Sequence, residues 1–202
     1  MPVIPVTNDH FPLFHGSYWS YNDTDNTNDT ITRKVNSIAS FNGNAYQVFA
    51  ETDQNNQQDL SYYRKSGNDY YEYCSGDKYT TTVKFKTSVY SDLFFLKETV
   101  RAGDEWTSGE FIGTDNNNQQ KAIQYSFTCI SDNNYYIVNG VAFSNVYVIQ
   151  MLPKVRSQNG SYTPTGEAIY TYYAKGIGII YQQVFAPDDS SVKMQLRNWY
   201  IN

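Results

Sequence analysis

The sequence predicts an all-β protein in which curved antiparallel sheet forms a sandwich or a partly closed barrel, built from two related halves. Three observations predict it. Residues that suit a pleated, half-buried surface are abundant, with 20 Tyr and 11 Phe beside many Thr, Val and Ile. Several stretches alternate apolar and polar residues with the period of a strand that has one buried face. Asn-Gly steps separate apolar runs and supply the left-handed turns that join antiparallel neighbours. About ten to twelve strands are expected from the spacing of these signals.

In chain order, residues 1–10 read as a tail or linker and 11–202 as one all-β domain of two pseudo-repeats, about 11–98 and 99–202. Gly16-Ser-Tyr-Trp19 opens the first strand, and the polar run Asn22–Asp29 reads as a hairpin loop. Asn42-Gly43 turns the chain into Tyr46–Ala50, which is apolar on both parities and therefore expected to be covered on both sides. Gln54–Gln58 and Asn116–Gln120 are amide-rich loops, and Ser66-Gly-Asn-Asp69 separates two tyrosine pairs as a hairpin loop does. Val83 and Phe85 alternate with Lys84 and Lys86, predicting a strand, whereas Ser91–Val100 is the one stretch assigned a helical turn.

In the second half, Ile123, Tyr125, Phe127 and Cys129 form the apolar face of a strand, and Asn139-Gly140 turns into the doubly apolar Val141–Met151. Pro153–Gly166 is rich in turn formers and reads as a loop. Gly176-Ile-Gly-Ile-Ile180 lacks the third glycine and the following helix of a nucleotide loop, so it reads as a tight β-connection. Val192, Met194 and Leu196 alternate with polar residues in the last strand.

The idea of two halves comes from signals recurring in the same order. Trp19 is echoed by Trp106, Val35–Ile38 by Phe127–Ile130, Gly43 by Gly140, Tyr62–Lys65 by Tyr172–Lys175, and Val83–Lys86 by Val192–Gln195. The spacing jumps between the third and fourth signals, which places an insertion at Pro153–Gly166.

A net charge of -5 and a pI near 4.9 give no electrostatic footprint for nucleic acid. No apolar run approaches the ~20 residues of a spanning helix. Met1-Pro-Val-Ile-Pro-Val-Thr7 has neither a basic n-region nor an apolar h-region and is not expected to be a signal peptide. Low Lys and Glu content with abundant Asn, Thr and Tyr suits an exported protein. Cys129 shares the parity of an apolar face, predicting a buried thiol, with a Cys74–Cys129 bridge as the alternative.

The phrases Phe11-Pro-Leu-Phe-His-Gly-Ser-Tyr-Trp-Ser-Tyr21, Ala102-Gly-Asp-Glu-Trp106 and Tyr172-Tyr-Ala-Lys-Gly-Ile-Gly-Ile-Ile180 resemble a family of small Bacteroidetes-type cell-envelope lipoproteins. The resemblance runs in order along nearly the whole chain. It implies a periplasmic, outer-membrane-anchored or cell-surface location, and no catalytic residue carries over from it. Membrane attachment is then expected through a lipid anchor alone, and no acylatable cysteine precedes Pro2, so a secreted form stands as the alternative.

Candidate chemistry is sparse. His10 and His15 flank Pro12 and do not form a helical metal pair, and there is no Gly-x-Ser-x-Gly elbow, phosphate loop or Cys-x-x-Cys. Asp23, Asp25 and Asp29 could converge on a hard cation, but Asn28 and Lys34 stand where an EF-hand needs Gly and Glu, so a solvated loop is favoured. Asn22-Asp-Thr24, Asn28-Asp-Thr30 and Asn159-Gly-Ser161 match the glycosylation sequon, which an Asn- and Thr-rich chain produces freely. Aromatic side chains carry the remaining leverage, and Trp19, Tyr62, Tyr71 and Tyr172 are the candidate ligand contacts. Adjacent tyrosines on a strand point to opposite faces, so one of each pair is expected to be partly exposed. The expected role is a non-enzymatic binding module without a cofactor, taking an apolar or lipid-like ligand. Alternatives are a glycan-binding surface and a hydrolase of envelope polymers.

Overall fold

A computed structural model describes residues 7–26, 28–158, 160–188 and 190–202. The first half contains β1 (Tyr18–Asp23), β2 (Thr30–Phe41), β3 (Asn44–Asp53), β4 (Gln58–Ser66), β5 (Asp69–Ser75) and β6 (Tyr90–Lys97). The second contains β7 (Glu105–Thr107), β8 (Phe111–Thr114), β9 (Gln120–Val138), β10 (Val141–Ser157), β11 (Thr163–Pro164), β12 (Ala168–Ala174), β13 (Gly178–Phe185) and β14 (Ser191–Tyr200). All belong to one antiparallel sheet, in the order β6-β5-β4-β3-β2-β1-β14-β13-β12-β10-β9-β7. Short β8 continues the pairing of β7 along β9, and β11 that of β12 along β10.

This order is a next-neighbour meander that curls until its two ends, β6 and β7, approach each other. Pairing of β1 with β14 joins the first strand to the last. The remaining seam is closed by other means. Phe94 lies 6.1 Å from Trp106, Lys97 Nζ sits 5.3 Å over the same indole, and Tyr125 donates to the carbonyl of Gly76 at 2.7 Å. The result is a nearly closed barrel, one of the two architectures that the sequence left open.

Turn chemistry sets the register. Asn42 and Gly43 have φ of 51° and 79°, and Asn139 and Gly140 have 50° and 74°, the double positive φ that a tight hairpin turn requires. Four of the five sequence echoes pair strand with strand or turn with turn: Trp19 in β1 with Trp106 in β7, Val35 in β2 with Phe127 in β9, Gly43 with Gly140 in hairpin turns, and Tyr62 in β4 with Tyr172 in β12. The fifth does not, because Val83–Lys86 is not a strand. Phe85 makes an isolated bridge to Asp115 and buries its ring, so the alternation reflects one anchored side chain on the connection that crosses the seam.

Other expectations are corrected. Ser91–Val100 forms no helical turn: Leu93 and Phe95 point inward and Phe94 outward along β6, a period of two. Pro153–Ser157 continues β10 rather than starting a loop, with Pro153 opposite Tyr125 and its carbonyl accepting from Thr165. Asp9 and His10 are docked, not a free tail. The Asp9 carbonyl accepts from Gly176, Lys65 reaches the Asp9 carboxylate at 2.6 Å, and His10 is buried with Nδ1 2.7 Å from Glu98 and its ring stacked on Tyr147. Residues 1–6 and the sequon residue Asn159 lie outside the described residues.

The core fills the barrel. Phe11, Trp19, Phe49, Tyr63, Tyr70 and Phe95 form one aromatic cluster at edge and stacked separations of 4.9–6.3 Å. Tyr46, Val48 and Ala50 are buried on the outer parity of β3 while Phe49 is buried on the inner one, so this strand is covered on both sides as expected. In β10 the double cover begins at Val146, and Val141 at the hairpin tip is exposed. Cys74 and Cys129 are both free and buried.

Candidate functional site

Inward-facing positions normally carry apolar residues, yet Arg33 on β2, Glu51 on β3, Ser61 on β4 and Glu72 on β5 all point into the barrel. Strand pairing explains how they meet. Arg33 is directly opposite Glu51, Phe49 opposite Ser61, and Tyr63 opposite Glu72. The connection 76–89 then carries Lys78 and Tyr79 across the barrel end to the same point.

The polar groups form a chain. Arg33 Nε lies 3.2 Å from Glu51 Oε1 in an ion pair, and its guanidinium sits 5.4 Å over the Tyr21 ring. Ser61 Oγ donates to Glu51 at 3.1 Å and accepts from Lys78 Nζ at 3.1 Å. Lys78 also donates to Glu72, whose second oxygen accepts from the Tyr79 hydroxyl at 2.5 Å. Glu72 is 2% exposed, so only these partners offset its desolvation.

Charge states follow from this geometry. Burial alone would raise the Glu51 pKa, but Arg33, then Lys78, outweigh it and hold the carboxyl below its ordinary value. Burial opposes the charge on Lys78, and Glu72 more than compensates, so its pKa is raised. For Arg33, burial is likewise outweighed by Glu51. Burial, reinforced by Glu72, raises the phenols of Tyr63 and Tyr79, so both stay protonated and Tyr79 can donate to Glu72.

Beside this chain is a cavity of about 120 Å³ whose other wall is apolar, formed by Phe11, Leu93, Phe95, Ile149, Met151 and Ile179 among others. A second hollow of about 230 Å³ lies beyond Lys78, Tyr79, Ile169 and Gln182, four residues common to both spaces. Its outer lip is a latch: Thr80 and Thr81 hydroxyls donate to Glu167 at 2.6 and 2.7 Å, and the Thr81 amide donates at 2.5 Å. Burial raises the Glu167 pKa, but hydrogen bonds from Thr165, Thr80 and Thr81 lower it further than burial raises it.

The candidate residues of the sequence lie elsewhere. Trp19 is 3% exposed and donates to the carbonyl of Ile177 at 2.5 Å, so its ring is core rather than a stacking platform. Tyr62 and Tyr71 are on the outer face. There the Tyr71 ring is covered by Arg64 at 4.1 Å and Phe94 at 5.3 Å, and Tyr62 meets Phe41 edge-on at 4.9 Å. Tyr172 packs between Tyr136 and Tyr181 at 4.6 and 5.1 Å, and burial pushes its phenol up to about 12. Each of these three candidates is the outer member of its tyrosine pair, whereas Tyr63 and Tyr173 line the cavity. Asp23 turns its carboxylate onto the amides of Asp25 and Asn26 at 2.6 and 3.1 Å, and Asp29 accepts from Gln54 at 3.2 Å, as a solvated loop does. His10 Nε2 faces the Asn145 carbonyl, while His15 offers its carbonyl to Asn202.

Sequence reasoning missed Arg33, Glu51, Glu72 and Lys78. The available signal was a charge on the apolar parity of a strand: Glu72 between Tyr70 and Cys74, Glu51 after Phe49, and Arg33 before Val35.

With this geometry in hand, the chain was compared with known proteins. No family model matches it, and no curated protein matches its sequence. Two solved structures do match. One is a candidate lipoprotein from Parabacteroides distasonis ATCC 8503, at 11% identity and a TM-score of 0.55, covering 96% of this chain and 100% of that one. The other is a candidate exported protein with a YmcC-like fold from Bacteroides fragilis NCTC 9343, at 12% identity and a TM-score of 0.54, with the same coverage. The chain shares their fold. At this identity the likeness extends to architecture alone, over 96% of the chain.

Proposed function

We propose that this protein is an exported cell-envelope protein whose barrel binds a small molecule in its interior without catalysing a reaction on it. The observation that carries the reading is the cavity held between an apolar wall and a buried chain of paired charges. Binding sites combine these features, with apolar surface giving affinity and a few placed polar groups fixing orientation. A purely structural core would gain by replacing the ion pairs with apolar residues of similar volume.

Export is supported by the phrase-by-phrase resemblance to envelope lipoproteins and by what the two structural neighbours are described as being. Binding without chemistry is supported by how the ionisable groups are used. Glu51 is held ionised by Arg33 and Lys78, and Glu72 accepts from two donors, so both carboxylates are committed to partners.

Native mass spectrometry on protein purified gently from an expressing bacterium tests the reading. We expect a bound mass that is released on denaturation and reduced by an Ile149→Trp variant that fills the cavity. A clean protein mass in several growth conditions would overturn it.

A further inference from the structure

The charges that line the cavity also state what can enter it, and the following rests on the binding reading above. We propose that the interior site selects small uncharged molecules with an apolar body and one polar end, about the size of a substituted benzene, and rejects ions of either sign.

The charge count is the first ground. Two cations, Arg33 and Lys78, face two anions, Glu51 and Glu72, and each is already paired. Ser61 links the two pairs through 3.1 Å hydrogen bonds on either side. An incoming carboxylate brings a third anion to two cations that are already neutralised, so its charge is balanced only by displacing Glu51 or Glu72 from its partner. An incoming ammonium must do the same to Arg33 or Lys78. Breaking a buried pair in this way weakens binding by roughly a hundredfold or more relative to a neutral molecule of the same shape.

Unused hydrogen-bonding capacity is the second ground. Tyr63 is 6% exposed and lines the cavity, which places a phenol hydroxyl at the site. Arg33 Nε is buried and, although 3.2 Å from Glu51 Oε1, is not aligned to donate to it. A single hydroxyl or carbonyl on the ligand would satisfy these groups without disturbing either ion pair.

Size is the third ground. A cavity of about 120 Å³ is close to the ~150 Å³ engineered site that holds benzene and far below the ~300–1,000 Å³ of sites for larger ligands. A long acyl chain does not fit. The hollow beyond Lys78 and Tyr79 offers a route in, past the latch at Glu167.

Calorimetric titration of the full chain with benzyl alcohol, benzoate and benzylamine separates the possibilities, since the three share one ring and differ in charge. We expect binding of benzyl alcohol and at least a hundredfold weaker binding of both ions. Tyr63→Phe should weaken benzyl alcohol about tenfold, the loss of one buried hydrogen bond, without lowering the melting temperature. Benzoate or benzylamine binding as tightly as the alcohol would overturn the selection rule while leaving the binding reading intact. Silence from all three, together with a clean native mass, would overturn both.

Discussion

Arg33→Met is the most informative single perturbation of the buried charge chain. It removes the cation opposite Glu51 and keeps the side-chain volume, leaving a carboxylate whose remaining donor is Ser61. The two side chains are 13% and 18% exposed, so solvent screens the pair weakly. Removing one partner of such a pair costs about 3 kcal/mol, toward the low end of the buried range because Ser61 and Lys78 remain nearby. In a chain of this length that lowers the melting temperature by roughly 6–12 °C. Arg33→Met/Glu51→Leu removes both charges and should recover most of the loss.

Acid titration provides the sign. In the wild type the Glu51 pKa is depressed below its ordinary value, so its contribution is present above the ordinary value and lost as pH falls through the depressed one. In Arg33→Met, burial is less opposed and the folded-state pKa moves upward. The variant's deficit should therefore shrink as pH falls through the variant's raised value towards the wild type's depressed one. Urea denaturation at a series of pH values measures this. A double variant no more stable than the single one, or a deficit independent of pH, would refute the argument.

Three further outcomes are expected. Cys74 and Cys129 are buried, with burial raising the Cys74 thiol well above its ordinary pKa and pushing Cys129 up to about 11, so a disulfide reagent should label both only at the rate of unfolding, measured with and without urea. Glu167→Gln weakens the acceptor of three threonine donors, and hydrogen exchange should show faster opening of 76–89 with the β-ladders unchanged. Phe11→Ala removes a ring packed against Phe49, Tyr63, Tyr70 and Phe95 and should cost about 3–5 kcal/mol in denaturant unfolding, showing that the docked N-terminal segment is part of the core.

Much of the fold was legible because local chemistry and global shape agree. Asn42-Gly43 and Asn139-Gly140 are turn residues in the sequence and adopt the required positive φ. The alternation from Ile123 to Cys129 is the inner face of β9, with all four side chains buried. Reading failed where one local signal stood for another cause. Val83 and Phe85 mimic a strand because Phe85 must reach the core from a crossing connection. Pro153 suggested a loop, yet β10 carries it as a strand residue opposite Tyr125. The site itself was illegible for a deeper reason. Tyr62 and Tyr63, or Tyr172 and Tyr173, are equivalent in a sequence, and which member faces a cavity is decided by the direction in which the sheet curls. Arg33, Glu51 and Glu72 become a cluster only when the β2–β5 register aligns them, and Lys78 joins from a connection outside the strands.

Methyl NMR during titration with benzyl alcohol tests the interior site most directly. The account predicts shifts and ligand contacts confined to Ile149, Met151, Ile169 and Ile179, which line the cavity. Unperturbed interior methyls with contacts at the outer clusters around Tyr62, Tyr71 or Tyr172 would contradict it.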